Sequence, residues 1–195
     1  MKSQFEEQIR LINLVTSDKA LLAKIEESAD WITECLLMNY PVLICGNGGS
    51  ASDALHFSGE LVGRFVLERR SLNVICLNSN VTVMTAWAND YSYETVFARQ
   101  VEAHGQVNGI FIGISTSGNS NSVQKGLLKA KQIGMKTIAL TGKSGGSLQN
   151  CADLLINVPS TDTPRIQEIH LPIYHYICNK VESKIVEAEK EQQQG

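Results

Sequence analysis

The sequence predicts an α/β fold: a doubly wound, five-stranded parallel sheet in an αβα sandwich, with an N-terminal helical extension and a long C-terminal helix. Three observations carry this. Short, almost wholly apolar runs recur from Pro41 onward, as expected for strands buried on both faces. Helical patterns long enough to serve as crossovers separate them. Glycine- and hydroxyl-rich segments collect just after the apolar runs, at the strand carboxyl ends where open parallel sheets bind their ligands.

Residues 1–38 read as helical. Phe5, Ile9, Leu11, Ile12 and Val15 fall at amphipathic spacing, as do Leu22, Ile25, Ile32, Leu36 and Leu37, with Ser17-Asp18 as break and cap. Helices placed ahead of the first strand cannot be crossovers; they either cover the sheet or pair with another subunit, and subunit pairing is the preferred reading. Residues 39–195 then form the sheet domain, the whole being one structural domain at 195 residues. The predicted strands are Val42–Cys45, Leu72–Leu77, Gly109–Ile114, Thr137–Leu140 and Leu154–Val158. Helical patterns between them are clearest over Glu94–His104 and Ser120–Ile133. The last helix begins near Thr163 and ends in a solvated tail, VEAEKEQQQG.

Composition excludes several classes. An apolar fraction of 43% and a charged fraction of 19% are those of a globular domain. A net charge of −3 gives no basic surface for nucleic acid. No apolar run approaches the roughly 18 residues of a membrane helix. The opening MKSQFEEQIRL places two glutamates where a signal peptide needs an apolar core, so a cytoplasmic protein is expected. Five cysteines without a CxxC pair read as reduced, mostly buried thiols.

The chemistry-bearing stretches sit at strand ends. Asn47, Gly48 and Gly49 follow the first strand, and backbone N–H groups of such a turn can point at an anion. Ser50 is expected to cap the ensuing helix, with Asp53 completing a capping box. His56 and Glu60, four residues apart in that helix, share a face and suit a base or a metal-ligand pair. The segment does not match the G-x-G-x-x-G dinucleotide pattern. After the third strand, Ser115, Thr116, Ser117, Gly118, Asn119 and Ser120 offer neutral donors to phosphate oxygens beside a helix start. Thr141-Gly142-Lys143-Ser144 lacks the first glycine of a nucleotide-binding loop, with Thr137 in its place. Asn89-Asp90, expected in a loop after the second strand, suits sugar hydroxyls. Gln167 and His175 lie about 12 Å apart along an ideal helix, and Pro172 between them is expected to kink it or mark its first turn.

Five segments together, CGNGGSASDALHFSGELVGRF, the AND of residues 88–90, GISTSGNS, ALTGKSGG and TPRIQEIHLPIYH, resemble the sugar isomerase (SIS) domain proteins, specifically the bacterial phosphoheptose isomerases. The resemblance covers essentially the whole chain and is weakest in the first 35 residues. It implies a homotetramer with active sites between subunits, which isomerises sedoheptulose 7-phosphate to glycero-manno-heptose 7-phosphate. That reaction is the first step toward activated heptose for lipopolysaccharide core and other surface glycans. It also implies one zinc ion per subunit, held by His56, Glu60, Gln167 and His175, with Glu60 as catalytic base and His175 as acid. Asn47, Gly48, Gly49, Glu60, Asn89, Asp90, Ser115, Thr116, Ser117, Ser120 and Gln167 would contact the substrate. A rival reading is a non-enzymatic SIS protein that binds the replication initiator. Such relatives share the glycine turn and serine loop but lack counterparts of Glu60 and His175, both present here, which favours the enzyme.

Overall fold

The structure, a computed structural model, describes the backbone of residues 1–194 and the side chains of residues 1–191. Two helices, α1 (Lys2–Ser17) and α2 (Lys19–Leu37), precede the sheet. Asp18 separates them as expected: its Oδ1 accepts the N–H groups of Ala20 and Leu21, both at 3.0 Å, which satisfies two of the free donors that open α2. The strands are β1 (Val42–Gly46), β2 (Val74–Cys76), β3 (Ile110–Ser115), β4 (Lys136–Thr141) and β5 (Leu154–Asn157). Between them run α3 (Gly49–Val62), α4 (Val81–Asp90), α5 (Val96–His104) and α6 (Asn121–Ile133), and α7 (Thr163–Gln194) closes the fold. Every strand pair is parallel and the spatial order is β2-β1-β3-β4-β5.

Alternation along the central strands sorts the core into two layers. Val42 and Ile44 face the side covered by α2, α3 and α7, whereas Leu43 and Cys45 face α5 and α6. On α2, Ile25, Ala29, Ile32 and Leu36 are buried in the first layer, so this helix covers the sheet as well as preceding it. All five cysteines are buried and free. No helix among the described residues is long and apolar enough to cross a membrane.

Three local differences from the sequence expectations have clear causes. The edge strand β2 is shorter than Leu72–Leu77 because a side chain takes over its pairing: Asn78 Oδ1 accepts Gly46 N–H at 3.1 Å and its Nδ2 donates to Gly46 O at 2.9 Å. The N-cap of α3 is Gly48, not Ser50, and no side chain caps that end. Ser50 instead sits buried in the first turn, packed against Gly46. Pro172 lies inside α7, which runs through it as one helix, so it does not mark the helix's first turn.

The long helix α7 seats by a stripe of buried residues at helical spacing, Ile166, Ile169, Ile173, Ile177 and Val181. Two buried polar groups fix its position along that stripe. Glu182, 1% exposed, accepts the N–H groups of Phe65, Val66 and Leu67 at 2.7–2.8 Å. Its Oε1 also lies 3.4 Å from Arg69 Nε. Burial would raise the Glu182 pKa, but the three N–H groups and Arg69 outweigh it and hold the carboxylate below its ordinary range. Arg69 in turn donates to the carbonyls of Glu60 and Gly63 at 3.0 and 2.9 Å, holding the last turn of α3. A surface ion pair contributes at most about 1 kcal/mol; stripping the partners from a buried charge costs about 3–5 kcal/mol, so this junction decides where the two helices meet.

At the other end His170, fully buried, has Nε2 3.2 Å from Thr141 O at the carboxyl end of β4. Burial depresses its pKa to about 4, against the pull of that carbonyl. The folded protein therefore keeps the imidazole neutral while the unfolded chain protonates it near 6.5. As pH falls from 6.5 toward 4 the unfolded state binds a proton that the folded state refuses, so stability drops across that window. In urea unfolding of metal-free protein, His170→Gln should show a shallower loss of stability between pH 6.5 and 4.5 than the parent; equal slopes would rule out His170 as the source.

Candidate active site

A strand order of 2-1-3-4-5 reverses direction between β1 and β3, and ligands of doubly wound sheets bind at the carboxyl ends flanking such a reversal. The loops there are Asn47–Gly48 and Thr116–Ser120, and they are bonded to each other. Asn47 Nδ2 donates to Ser120 Oγ at 2.6 Å and to Ser122 Oγ at 3.0 Å, while its Oδ1 accepts the Tyr93 hydroxyl at 2.5 Å. Ser115 is buried at the end of β3, whereas Thr116 and Ser120 are half-buried and Ser117 is exposed. Gly118 adopts φ +67°, and a Cβ there would lie 2.2 Å from Gly145 O, so only glycine lets the serine loop dock on the loop after β4. Gly142 N–H donates to Thr116 O and Leu148 N–H to Gly118 O, which completes that docking.

The second half of the site is built by α3 and α7. His56 Nε2 lies 3.0 Å from Glu60 Oε1 across one helical turn. From α7, His175 brings its Nε2 to 3.4 Å from His56 Nε2. The ligand atoms of His56, Glu60 and His175 all fall within 4.8 Å of one another. Donors around a tetrahedral ion bound at about 2.0–2.1 Å sit about 3.3 Å apart, so the 3.0 and 3.4 Å separations fit such an ion. Two histidines and a carboxylate are also a recognised catalytic zinc set that leaves a position open. His175 has its pKa lowered by burial and by the neighbouring His56, with Glu60 opposing; the neutral ring that a metal requires is thereby favoured.

Behind the ligands stands Tyr174, 1% exposed, with its hydroxyl 3.1 Å from His56 Nδ1. Burial first, and then the charge of Asp53, push its phenol well above the usual range, so it keeps its proton. Asp53, one turn before His56 on α3, is itself pushed up to about 6 by burial, against the pull of His56 and a hydrogen bond from Tyr174.

Gln167 reaches the start of α3 rather than its middle. A Cβ on Gly49 would fall 2.1 Å from Gln167 Nε2, so the missing side chain of Gly49 is what admits the amide. Gly49 precedes His56 by two helical turns, about 10 Å along α3. Gln167 thus packs against the glycine turn, on the α7 face shared with Tyr174. Asn89 and Asp90 occupy the exposed last turn of α4, not a loop, and among the described residues no hydrogen bond joins them to the other site residues; Asn89 Nδ2 donates to Asp90 Oδ1 at 2.8 Å. Sequence reasoning missed Tyr93, Ser122 and Tyr174, because each acts through a partner distant in the chain. Tyr174 had one available signal, its place beside His175.

Comparison with known proteins agrees with this geometry. The family model described as SIS domain matches residues 4–142. A phosphoheptose isomerase of Helicobacter pylori (strain ATCC 700392 / 26695) is 50% identical over 169 residues, which cover 87% of this chain and 88% of the relative. That of Geobacter sulfurreducens is 45% identical over 168 residues, 86% of this chain and 89% of its own. Among solved structures, the phosphoheptose isomerase of Neisseria gonorrhoeae superposes with a TM-score of 0.88 at 36% identity, over 93% of this chain and 96% of that one. The Francisella tularensis phosphoheptose isomerase gives the same TM-score at 37% identity, with the same coverage. With its β1/β3 crevice and its His56–Glu60–His175 group, the chain belongs to the SIS domain family, among the phosphoheptose isomerases, a group of aldose–ketose isomerase enzymes.

Proposed function

We propose that this protein converts sedoheptulose 7-phosphate to glycero-manno-heptose 7-phosphate at a zinc site held by His56, Glu60, Gln167 and His175. The observation that carries the reading is the convergence of His56, Glu60 and His175 beside a hydroxyl-lined crevice. A zinc ion bound there would polarise the sugar carbonyl and lower the barrier to removing the adjacent proton. The phosphate is taken by Ser115, Thr116, Ser117 and Ser120, whose neutral donors sit at the start of α6, with Asn47, Gly48 and Gly49 opposite. Asn47 orients Ser120 directly. Glu60 removes the proton from C1, giving an enediol, and returns a proton at C2. A carboxylate has two oxygens, so Oε1 can face His56 while Oε2 stays free for this transfer. His175, favoured neutral, moves protons between the two sugar oxygens. Gln167, seated on Gly49, would complete the metal group and contact the sugar chain.

The active protein is proposed to be a homotetramer. The outward apolar residues of α1, Phe5, Ile9, Ile12 and Leu14, and the absence of any buried residue in α4, leave surface for partner subunits within residues 1–38 and beyond. Asn89 and Asp90, exposed in α4, would then meet substrate across a subunit boundary.

Purified protein incubated with sedoheptulose 7-phosphate should yield the aldose 7-phosphate by NMR, and verified metal removal should abolish turnover until zinc is restored. Turnover that survives metal removal would sink the zinc assignment. Glu60→Gln should lower kcat by about 10²–10⁴-fold, the usual contribution of a positioned base; near-normal kcat would remove Glu60 from that role. Ser117→Ala and Ser120→Ala should raise KM for the phosphorylated sugar more than they lower kcat, and an unchanged KM in both would move the phosphate elsewhere.

A further inference from the structure

The hydroxyl of Tyr174 touches the nitrogen of His56 that faces away from the other ligand atoms. His56 Nε2 is turned to Glu60 Oε1 and His175 Nε2, and Nδ1 is left for Tyr174 at 3.1 Å. A neutral imidazole carries one proton, so the occupant of one nitrogen decides what the other can do. For Nε2 to offer its lone pair to a cation, Nδ1 must hold the proton and donate it to an acceptor. The phenolic oxygen of Tyr174, 3.1 Å away, is that acceptor.

The ring of Tyr174 cannot drift. It stacks on Phe57 with centroids 5.4 Å apart and an interplanar angle of 16°, and meets His56 and His175 edge-on at 5.5 and 5.1 Å. Such aromatic contacts contribute beyond simple area burial, and together they hold the hydroxyl in place before any metal arrives. We propose that Tyr174 is a positioning residue, which locks His56 in the Nδ1–H tautomer, aims its Nε2 at the ligand group and thereby raises the zinc affinity of the site. The inference rests on the zinc reading of His56, Glu60 and His175 and adds the residue that prepares one of those ligands. Partners of this kind typically alter metal affinity by about 10–100-fold when removed.

The test is a competition of metal-free protein against a chromogenic zinc chelator. The parent, Tyr174→Phe and His56→Ala are compared, and thermal unfolding of each metal-free variant is recorded alongside. Tyr174→Phe keeps the ring and its stacking on Phe57, so its metal-free unfolding temperature should stay close to that of the parent while zinc affinity falls about 10-fold. Parent-like affinity in Tyr174→Phe, alongside a large loss in His56→Ala, overturns the role of Tyr174 and leaves the zinc site standing. No loss in His56→Ala overturns the zinc reading itself and this inference with it. A second measurement needs no variant. In zinc-loaded parent protein with ¹⁵N-labelled histidine, His56 should show a protonated Nδ1 and a metal-bound Nε2; the reverse assignment refutes the proposal.

Discussion

The seating of α7 on α3 and the sheet is the constraint on which the rest depends. His175, Tyr174, Gln167 and His170 ride on this helix, and His56, Glu60, Asp53 and Gly49 face it from α3 or the sheet end. A buried isoleucine stripe alone would let a helix slide by a turn at modest cost, because apolar contact has no direction. The bond from His170 to Thr141 and the capture of three N–H groups by Glu182 are directional, and both are buried. A shift by one turn would strand a carboxylate without donors and an imidazole without its carbonyl. The register of the metal group follows from those two polar points.

The two halves of the crevice are stiffened differently. At the serine-loop side, neutral side chains bond to one another and to backbone, with Asn47 as the link between the loops after β1 and β3. At the histidine–glutamate side, the buried Tyr174 stands behind His56, its hydroxyl 3.1 Å from Nδ1. Neutral donors would suit the anion of the proposed substrate, because they bind without a deep electrostatic trap. Charged and polarisable groups would suit the proposed resident cation.

Much of this was legible in the chain. Apolar runs and glycine punctuation predicted five parallel strands, and each is present, with ends shifted by a residue or two. Asp18 capped α2 as read. His56 and Glu60 shared a face because four-residue spacing guarantees it in any helix. The errors came where a side chain replaced a backbone role or a distant element supplied the partner. Asn78 ended β2 early by bonding Gly46, and Ser50 lost the cap to Gly48 because Gly46 let it pack inward.

The sequence by itself determined the five parallel strands and the two-sided layering of helices, since these follow from local periodicity, turn residues and the handedness of crossovers. Tertiary structure decided which residues meet. His175 lies over a hundred residues from His56, and its arrival at 3.4 Å depends on where α7 docks, which no local spacing records. The same holds for Tyr174 behind His56 and for Gln167 over Gly49. Their contacts are set by the packing of two helices across a sheet, a property of the whole core rather than of any segment.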